Sequence, residues 1–342
     1  MVQVRLATQE DSAAWDRYLD KFPDIPPMNR YAWKGILEDT YRVKTYFFIA
    51  LDKDNKVAGI LSSYVTRDIK NRLNLYSLRF GIVADDKACY AGLLDHIKDF
   101  CGQNNIVSNL TASGYKKIDT NYTETVKKTV ILKLPRTEEE MWQSLRDKTR
   151  NMIRKSQKSG LVAERGFCGL KEFYDIYTVN MLKKGIPIHR LEFFENIAGA
   201  MPYNATLITA KKGAKVIGGT FVLHSMTSAI YPFQSSASDM RTYAPNPFLV
   251  WEAVKMCMER GIPALDMGES SQGGSVYDFK VNFGGVPRDV YYYTTFLRNE
   301  EQSKSGGVWK AKPSLAVRAL TVTPFFMRKQ IGLWLKTRGR II

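Results

Sequence analysis

Histidine and cysteine are scarce in this sequence. His96, His189 and His224, with Cys89, Cys101, Cys168 and Cys257, are all there is of either in 342 residues. No two cysteines stand as CxxC and the histidines lack ligand spacing, so neither a zinc site nor a thioredoxin-like site is expected. Buried thiols in a reducing compartment account better for the cysteines. No run approaches the ~18 apolar residues that span a bilayer. The N-terminus, MVQVRLATQEDSAAW, has no apolar stretch of the signal-peptide kind. The expected location is the cytoplasm, or the cytoplasmic face of a membrane. Acid is also missing, over 302–342 entirely.

What is present is positive charge. Lys and Arg number 50 against 34 Asp and Glu, a formal net charge of +16. Such an excess favours polyanions: RNA, nucleotide-linked substrates or anionic lipid. Hydrophobic residues make up 44% and charged residues 25%, a balance that belongs to folded enzymes rather than disordered chains. The length fits one large domain or two moderate ones.

Read in order, 11–22 places Trp15, Tyr18, Leu19 and Phe22 at helical spacing behind Asp11 or Ser12 as N-cap. A second helix is predicted through Tyr31, Trp33, Ile36 and Leu37. Residues 45–51 and 56–61 read as two strands around the turn Asp52-Lys53-Asp54-Asn55. An amphipathic helix over 87–102 and a strand at 106–110 follow. About 157 residues later the order recurs. ATLITAKKGAKVIGGTFVLH at 205–224 repeats strand, turn and strand, and PFLVWEAVKMCMERGIPALDMG at 247–268 repeats helix and strand. Leu249 answers Leu93, Cys257 answers Cys101 and Ile262 answers Ile106. A constant offset between like elements implies two copies of one α/β unit, with a boundary near Pro135.

Three stretches carry candidate chemistry. In 137–160, Thr137 and Glu140 form a capping box on one helix with an apolar face of Trp142, Leu145, Thr149 and Met152. The rest of that helix is basic. Arg150, Arg154 and Lys155 are candidates to hold substrate phosphates, against the alternative of a solvated face. In 302–342, nine Lys and Arg interleave with Trp309, Leu320, Phe325, Phe326 and Trp334. Either a peripheral membrane contact or a helix docked on its own domain would give this pattern. In 266–284, DMGESSQGGSVYDFKVNFG, glycines, one lysine and aromatics follow a strand, as in a site loop. Asp266 stands at the strand end, where α/β sites collect.

The second copy resembles the FemAB-type peptidyltransferases of the GNAT-like acyltransferase superfamily. The residues that carry the resemblance are Gly218-Gly219, Ala229-Ile230-Tyr231 with Gln234-Ser235-Ser236-Ala237, Asn246 through Glu252, Leu265-Asp266-Met267-Gly268, Tyr277-Asp278-Phe279-Lys280, Gly284-Gly285 and Tyr291-Tyr292-Tyr293. It covers roughly 135–300 well and 1–134 weakly. A basic Q/R-x-x-G-x-G/A loop for the pyrophosphate of acyl-CoA is absent, and so is the long helical hairpin of some members.

The resemblance implies an α/β (α+β) fold: a tandem duplication of two GNAT-like acyl-CoA N-acyltransferase domains, each a central mixed sheet flanked by helices, with a cleft between them. The implied division is 1–135, 136–300 and a basic tail over 301–342. The implied reaction moves an acyl or aminoacyl group onto an amine. Aminoacyl-tRNA or acyl-CoA would be the donor co-substrate, with no tightly bound cofactor. A phosphate-bearing envelope or polysaccharide precursor would be the acceptor. Lys280 is then the catalytic cation that stabilises the oxyanion, and Phe279 packs on the donor. Asp266 is the candidate base, with Glu252 and Glu269 as alternatives. Tyr231, Gln234 and Tyr277 line the substrate site. Two readings stand beside this one: an acyl-CoA N-acyltransferase on a small amine or amino sugar, and a non-catalytic RNA- or membrane-binding protein.

Overall fold

The computed structural model describes residues 2–296, 320, 323–338 and 341. Its chain divides into two compact units. The first comprises Met1–Lys127, Asp289–Thr323 and Gln330–Ile342, and the second Lys128–Arg288 and Pro324–Lys329.

The first unit begins with β1 (Gln3–Leu6), α1 (Ser12–Leu19) and α2 (Trp33–Tyr41). Then come β2 (Lys44–Leu51), β3 (Val57–Arg67), β4 (Leu73–Ala84), α3 (Lys87–Gln103) and β5 (Ile106–Gly114). Strands β1 to β4 pair antiparallel in sequence order, and β4 then runs parallel to β5. A sixth strand, β12 (Val286–Phe296), pairs antiparallel with β5. The run of buried residues along β2 and β3 leaves few exposed positions, as expected of strands covered on both faces. Helix α3 buries Leu93, Leu94, Ile97 and Cys101 against Phe48, Leu61 and Ile82 of that sheet.

The second unit repeats the pattern. It contains part of β6 (Thr123–Lys133), then α4 (Glu138–Ser144), α5 (Asp147–Lys158), β7 (Leu161–Arg165), α6 (Leu170–Lys183) and α7 (Leu191–Ala200). These lead to β8 (Ala205–Lys212), β9 (Lys215–His224), β10 (Ala229–Ser236), α8 (Pro245–Glu259), β11 (Ala264–Glu269) and α9 (Ser275–Asn282). Strands β7 to β10 pair antiparallel in order, β10 runs parallel to β11, and β11 pairs antiparallel with β6. Three antiparallel steps, one parallel step and a last antiparallel strand thus occur twice, as the offset of 157 residues predicts. Leu249, Cys257 and Ile262 are buried here as Leu93, Cys101 and Ile106 are in the first unit.

Four local expectations change. Residues 137–160 form two helices rather than one, because Leu145 and Arg146 take extended backbone (ψ 143° and 147°) between α4 and α5. After the break, α5 buries Thr149, Ile153 and Ser156, while Met152 is only partly covered. The stretch 266–284 is not a loop throughout: Ser275–Asn282 is helical, so Lys280 sits in the last turn of α9. Asp11 precedes α1 without capping it through its side chain, since its carboxylate is engaged by Arg5 and Thr8. Among the thiols, Cys89, Cys101 and Cys257 are buried but Cys168 is exposed. Burial pushes the Cys101 and Cys257 thiols up to about 12.

Of the tail, 297–319, 321–322, 339–340 and 342 lie outside the described residues, Trp309 among them. The described part holds α10 (Phe325–Lys336), whose Phe325, Met327 and Trp334 are exposed. Leu320 and Ile341 are buried, and the Ile341 N–H donates to the Tyr64 hydroxyl at 2.8 Å.

Candidate active site

Strands β10 and β11 run side by side for only two registered pairs, Ala229 with Leu265 and Ile230 with Asp266. Beyond them β10 bulges between Ile230 and Phe233 and continues only with β9. Strand β11 likewise shifts register against β6 between Asp266 and Glu269. Two parallel strands that part in this way present backbone donors and acceptors to an extended ligand, as a sheet edge does.

Three titratable side chains collect at the parting. Lys280 is 5% exposed, and its ammonium donates to the carbonyl oxygens of Gly268 (2.8 Å) and Glu269 (3.3 Å). Helix α9 brings it there: the helix ends at Phe283, whose ring is buried, and the N–H of Gly285 closes back on the Lys280 carbonyl. Asp266 is also buried and accepts from the Thr129 hydroxyl of β6 and from the Gly268 N–H (2.7 Å). Gly268 has φ +82°, the left-handed region that glycine enters at least cost. A Cβ there would lie 3.7 Å from the Lys280 Nζ. Tyr231 is 6% exposed, and its hydroxyl is buried without a hydrogen-bond partner. Burial, with the Asp266 carboxylate nearby, raises the phenol above its ordinary range, so it stays protonated.

The sequence candidates therefore divide. Lys280, Asp266, Tyr231 and the backbone of Glu269 come together. Phe279 and Tyr277, on α9, pack against the core of the second unit, and Phe279 lies 5.9 Å from the Phe283 ring. Gln234 donates to the Asn246 carbonyl (3.1 Å) and is tied to the start of α8. Glu252 is buried on α8 in an ion pair with Lys255 (2.7 Å). The arginines of the basic helix are committed to its own neighbourhood. Arg150 donates to the Trp142 and Gln143 carbonyls and pairs with Asp147. Arg154 lies over the Trp142 ring, 5.2 Å from its centroid, while Lys148, Lys155 and Lys158 are exposed with no such tie. The N-terminus of α5 does reach α9, where Thr149 donates to the Asn282 carbonyl (3.1 Å) and Arg146 bonds the Asn282 side chain.

Thr129 is the residue that sequence reasoning missed. It stands 137 positions before its partner Asp266, and only the β6–β11 register brings the two together. The first unit explains why only one copy holds such a cluster. Its β4 and β5 also part, after Tyr76 with Leu110, but protein groups fill the gap. Ala112 N–H donates to the Ser77 hydroxyl (2.7 Å), and Asn29 donates to the Arg79 carbonyl (2.6 Å). Phe80, at φ +59°, lies so close to Gly114 that a Cβ there would meet its ring at 1.8 Å.

The fold has counterparts. Residues 143–281 match the family described as "Acetyltransferase (GNAT) domain". A search of curated proteins finds no match. Among solved structures, FemX superposes with a TM-score of 0.66 at 15% identity, covering 88% of this chain and 99% of its own. A tandem GNAT protein from the clavulanic acid biosynthesis pathway gives 0.57 at 9% identity, covering 86% of this chain and 98% of its own. L-PGS from Bacillus licheniformis gives 0.51 at 10% identity, covering 93% and 97%. Residues 143–281 are thus similar to the GNAT acetyltransferase domain, and the chain as a whole has the fold of FemX and of the tandem GNAT protein.

Proposed function

We propose that the second unit transfers an acyl or aminoacyl group to an amine at the parting of β10 and β11. The observation that carries this reading is the buried trio of Lys280, Tyr231 and Asp266 where two parallel strands diverge. In the reaction, a neutral amine nitrogen attacks the donor's carbonyl carbon. The C–N bond forms, the ester C–O or thioester C–S bond breaks, and the proton lost by nitrogen passes to the departing oxygen or sulfur. The oxyanion formed on the way needs preorganised donors in a site poor in water. The Lys280 ammonium supplies charge, and the protonated Tyr231 hydroxyl supplies an unengaged donor. Asp266 positions the Gly268 turn, and burial, with the Asp266 carboxylate adding to it, keeps Tyr231 protonated. Glu269 contributes through its backbone.

The fold of FemX and L-PGS supports an aminoacyl donor, and an envelope, peptidoglycan-like or exopolysaccharide precursor as acceptor. The GNAT family match over 143–281 supports the second reading, an acyl-CoA donor and a small amine or amino sugar. Thermal stabilisation separates them, because only a ligand of the folded state raises the midpoint. A rise with aminoacyl-tRNA but not with acyl-CoA supports the first, and the converse supports the second. Stabilisation by neither, with no transfer of label to any amine, overturns both. On α10, exposed Phe325, Met327 and Trp334 beside Lys329 support a peripheral contact with anionic lipid. Cosedimentation with phosphatidylglycerol vesicles tests that contact, and failure of the full chain to sediment rules it out.

A further inference from the structure

We infer that the first unit carries a separate binding site for a phosphate ester, in a cavity at the edge where β2 and β5 begin and β3 ends. The cavity measures about 510 Å³. Arg42, Lys44, Arg67 and Arg338 line it, and no Asp or Glu stands among its described lining residues. None of these four cations forms an ion pair with a described residue. Arg67 donates only to the Asn71 carbonyl (3.1 Å), and Arg338 lies over the Trp334 ring. Four like charges gathered at one concavity repel one another, and an anion placed among them removes that cost. Val65 and Leu73, registered beside Lys44 and Arg67, add an apolar part to the lining, which suits a ligand with a carbon body beside its phosphate.

Arg42 supplies the second argument. It ends α2 at φ +56°, ψ +31°, the left-handed position that helices usually give to glycine or asparagine. The cap needs the backbone, whose N–H donates to the Glu38 carbonyl (2.9 Å), but not the side chain, and an arginine there costs strain that a glycine would avoid. The strain is explained if the guanidinium is what the position is for. Two sources could supply the ligand, a nucleotide or a glycerol phosphate of the lipid-headgroup kind, and both present a phosphate to the same cations. The cavity belongs to the unit without Lys280, so its occupancy is measurable whether or not transfer takes place.

The test is calorimetric titration of the full-length protein with ADP, sn-glycerol 1-phosphate and inorganic pyrophosphate. At least one should bind, and more weakly as salt is raised. Preferential binding of ADP assigns the site to a nucleotide, and of glycerol phosphate to a headgroup. The double variant Arg42→Asn, Arg67→Gln should weaken binding about tenfold or more. Asparagine tolerates the left-handed backbone, so folding survives, and unchanged circular dichroism confirms it. Arg67→Gln alone serves if the double variant fails to fold. No binding of any of the three at millimolar concentration, or binding that the variants leave unaltered, overturns the site.

Discussion

The Lys280 ammonium and the Gly268 carbonyl meet at 2.8 Å across the turn that ends β11. A lysine in the last turn of a short helix is thereby buried rather than solvated. Lys280→Met keeps the length of the stem and removes the charge. We expect the transfer rate to fall by about 10²–10³, the usual effect of losing one oxyanion donor. The thermal midpoint should also drop, because two carbonyl oxygens lose a donor. A full rate with an authentic donor and acceptor would leave Lys280 a structural clamp only.

Tyr231→Phe should behave differently. The hydroxyl has no partner among the described residues, so deleting it removes an unsatisfied polar atom and the midpoint should hold or rise. The rate should nonetheless fall, by roughly a hundredfold if the hydroxyl donates to the oxyanion. A loss of stability with an unchanged rate would show the hydroxyl to be structural.

Gly268→Ala places a methyl group at φ +82°, 3.7 Å from the Lys280 Nζ. The left-handed backbone alone costs about 1–2 kcal/mol for a residue with a Cβ. The unfolding midpoint in urea should shift accordingly, and the rate should fall because the Lys280 anchor moves. Equal stability of variant and parent would mean that the turn relaxes freely.

The pH dependence of stability should carry a signature of His224. This imidazole is buried beside the Thr206 hydroxyl (3.1 Å), and burial brings it down to about 4 from its ordinary 6.5. Between those values the unfolded chain binds a proton that the folded chain refuses. Stability is therefore complete above pH 6.5 and declines as pH falls towards 4. His224→Asn should flatten that part of the curve in thermal scans. An unchanged slope would assign it to other groups.

The duplication and the α/β class were legible because apolar spacing repeats at fixed offset, and burial of Leu93, Cys101, Leu249 and Cys257 follows from it. The break at Leu145-Arg146 was not, since neither residue disfavours a helix. There the Arg150 guanidinium caps carbonyls at the end of α4. Resemblance pointed to Lys280, but composition could not say that its ammonium would face carbonyl oxygens. Nor could it separate Glu252, spent on Lys255, from Asp266. Both are lone carboxylates in apolar surroundings, and only the strand register distinguishes them.

The crossed ownership of strands bears on how the protein is made. The Ile118 N–H donates to the Tyr293 hydroxyl 175 positions later, and β5 has no partner on that side until β12 exists. A nascent first unit must leave the ribosome with an open edge and wait while the whole second unit is translated. Contacts so distant in sequence close slowly, and an unpaired edge strand is a template for aggregation in the interval. Expression of the N-terminal half alone should therefore yield insoluble protein, and adding a β12 segment should rescue it.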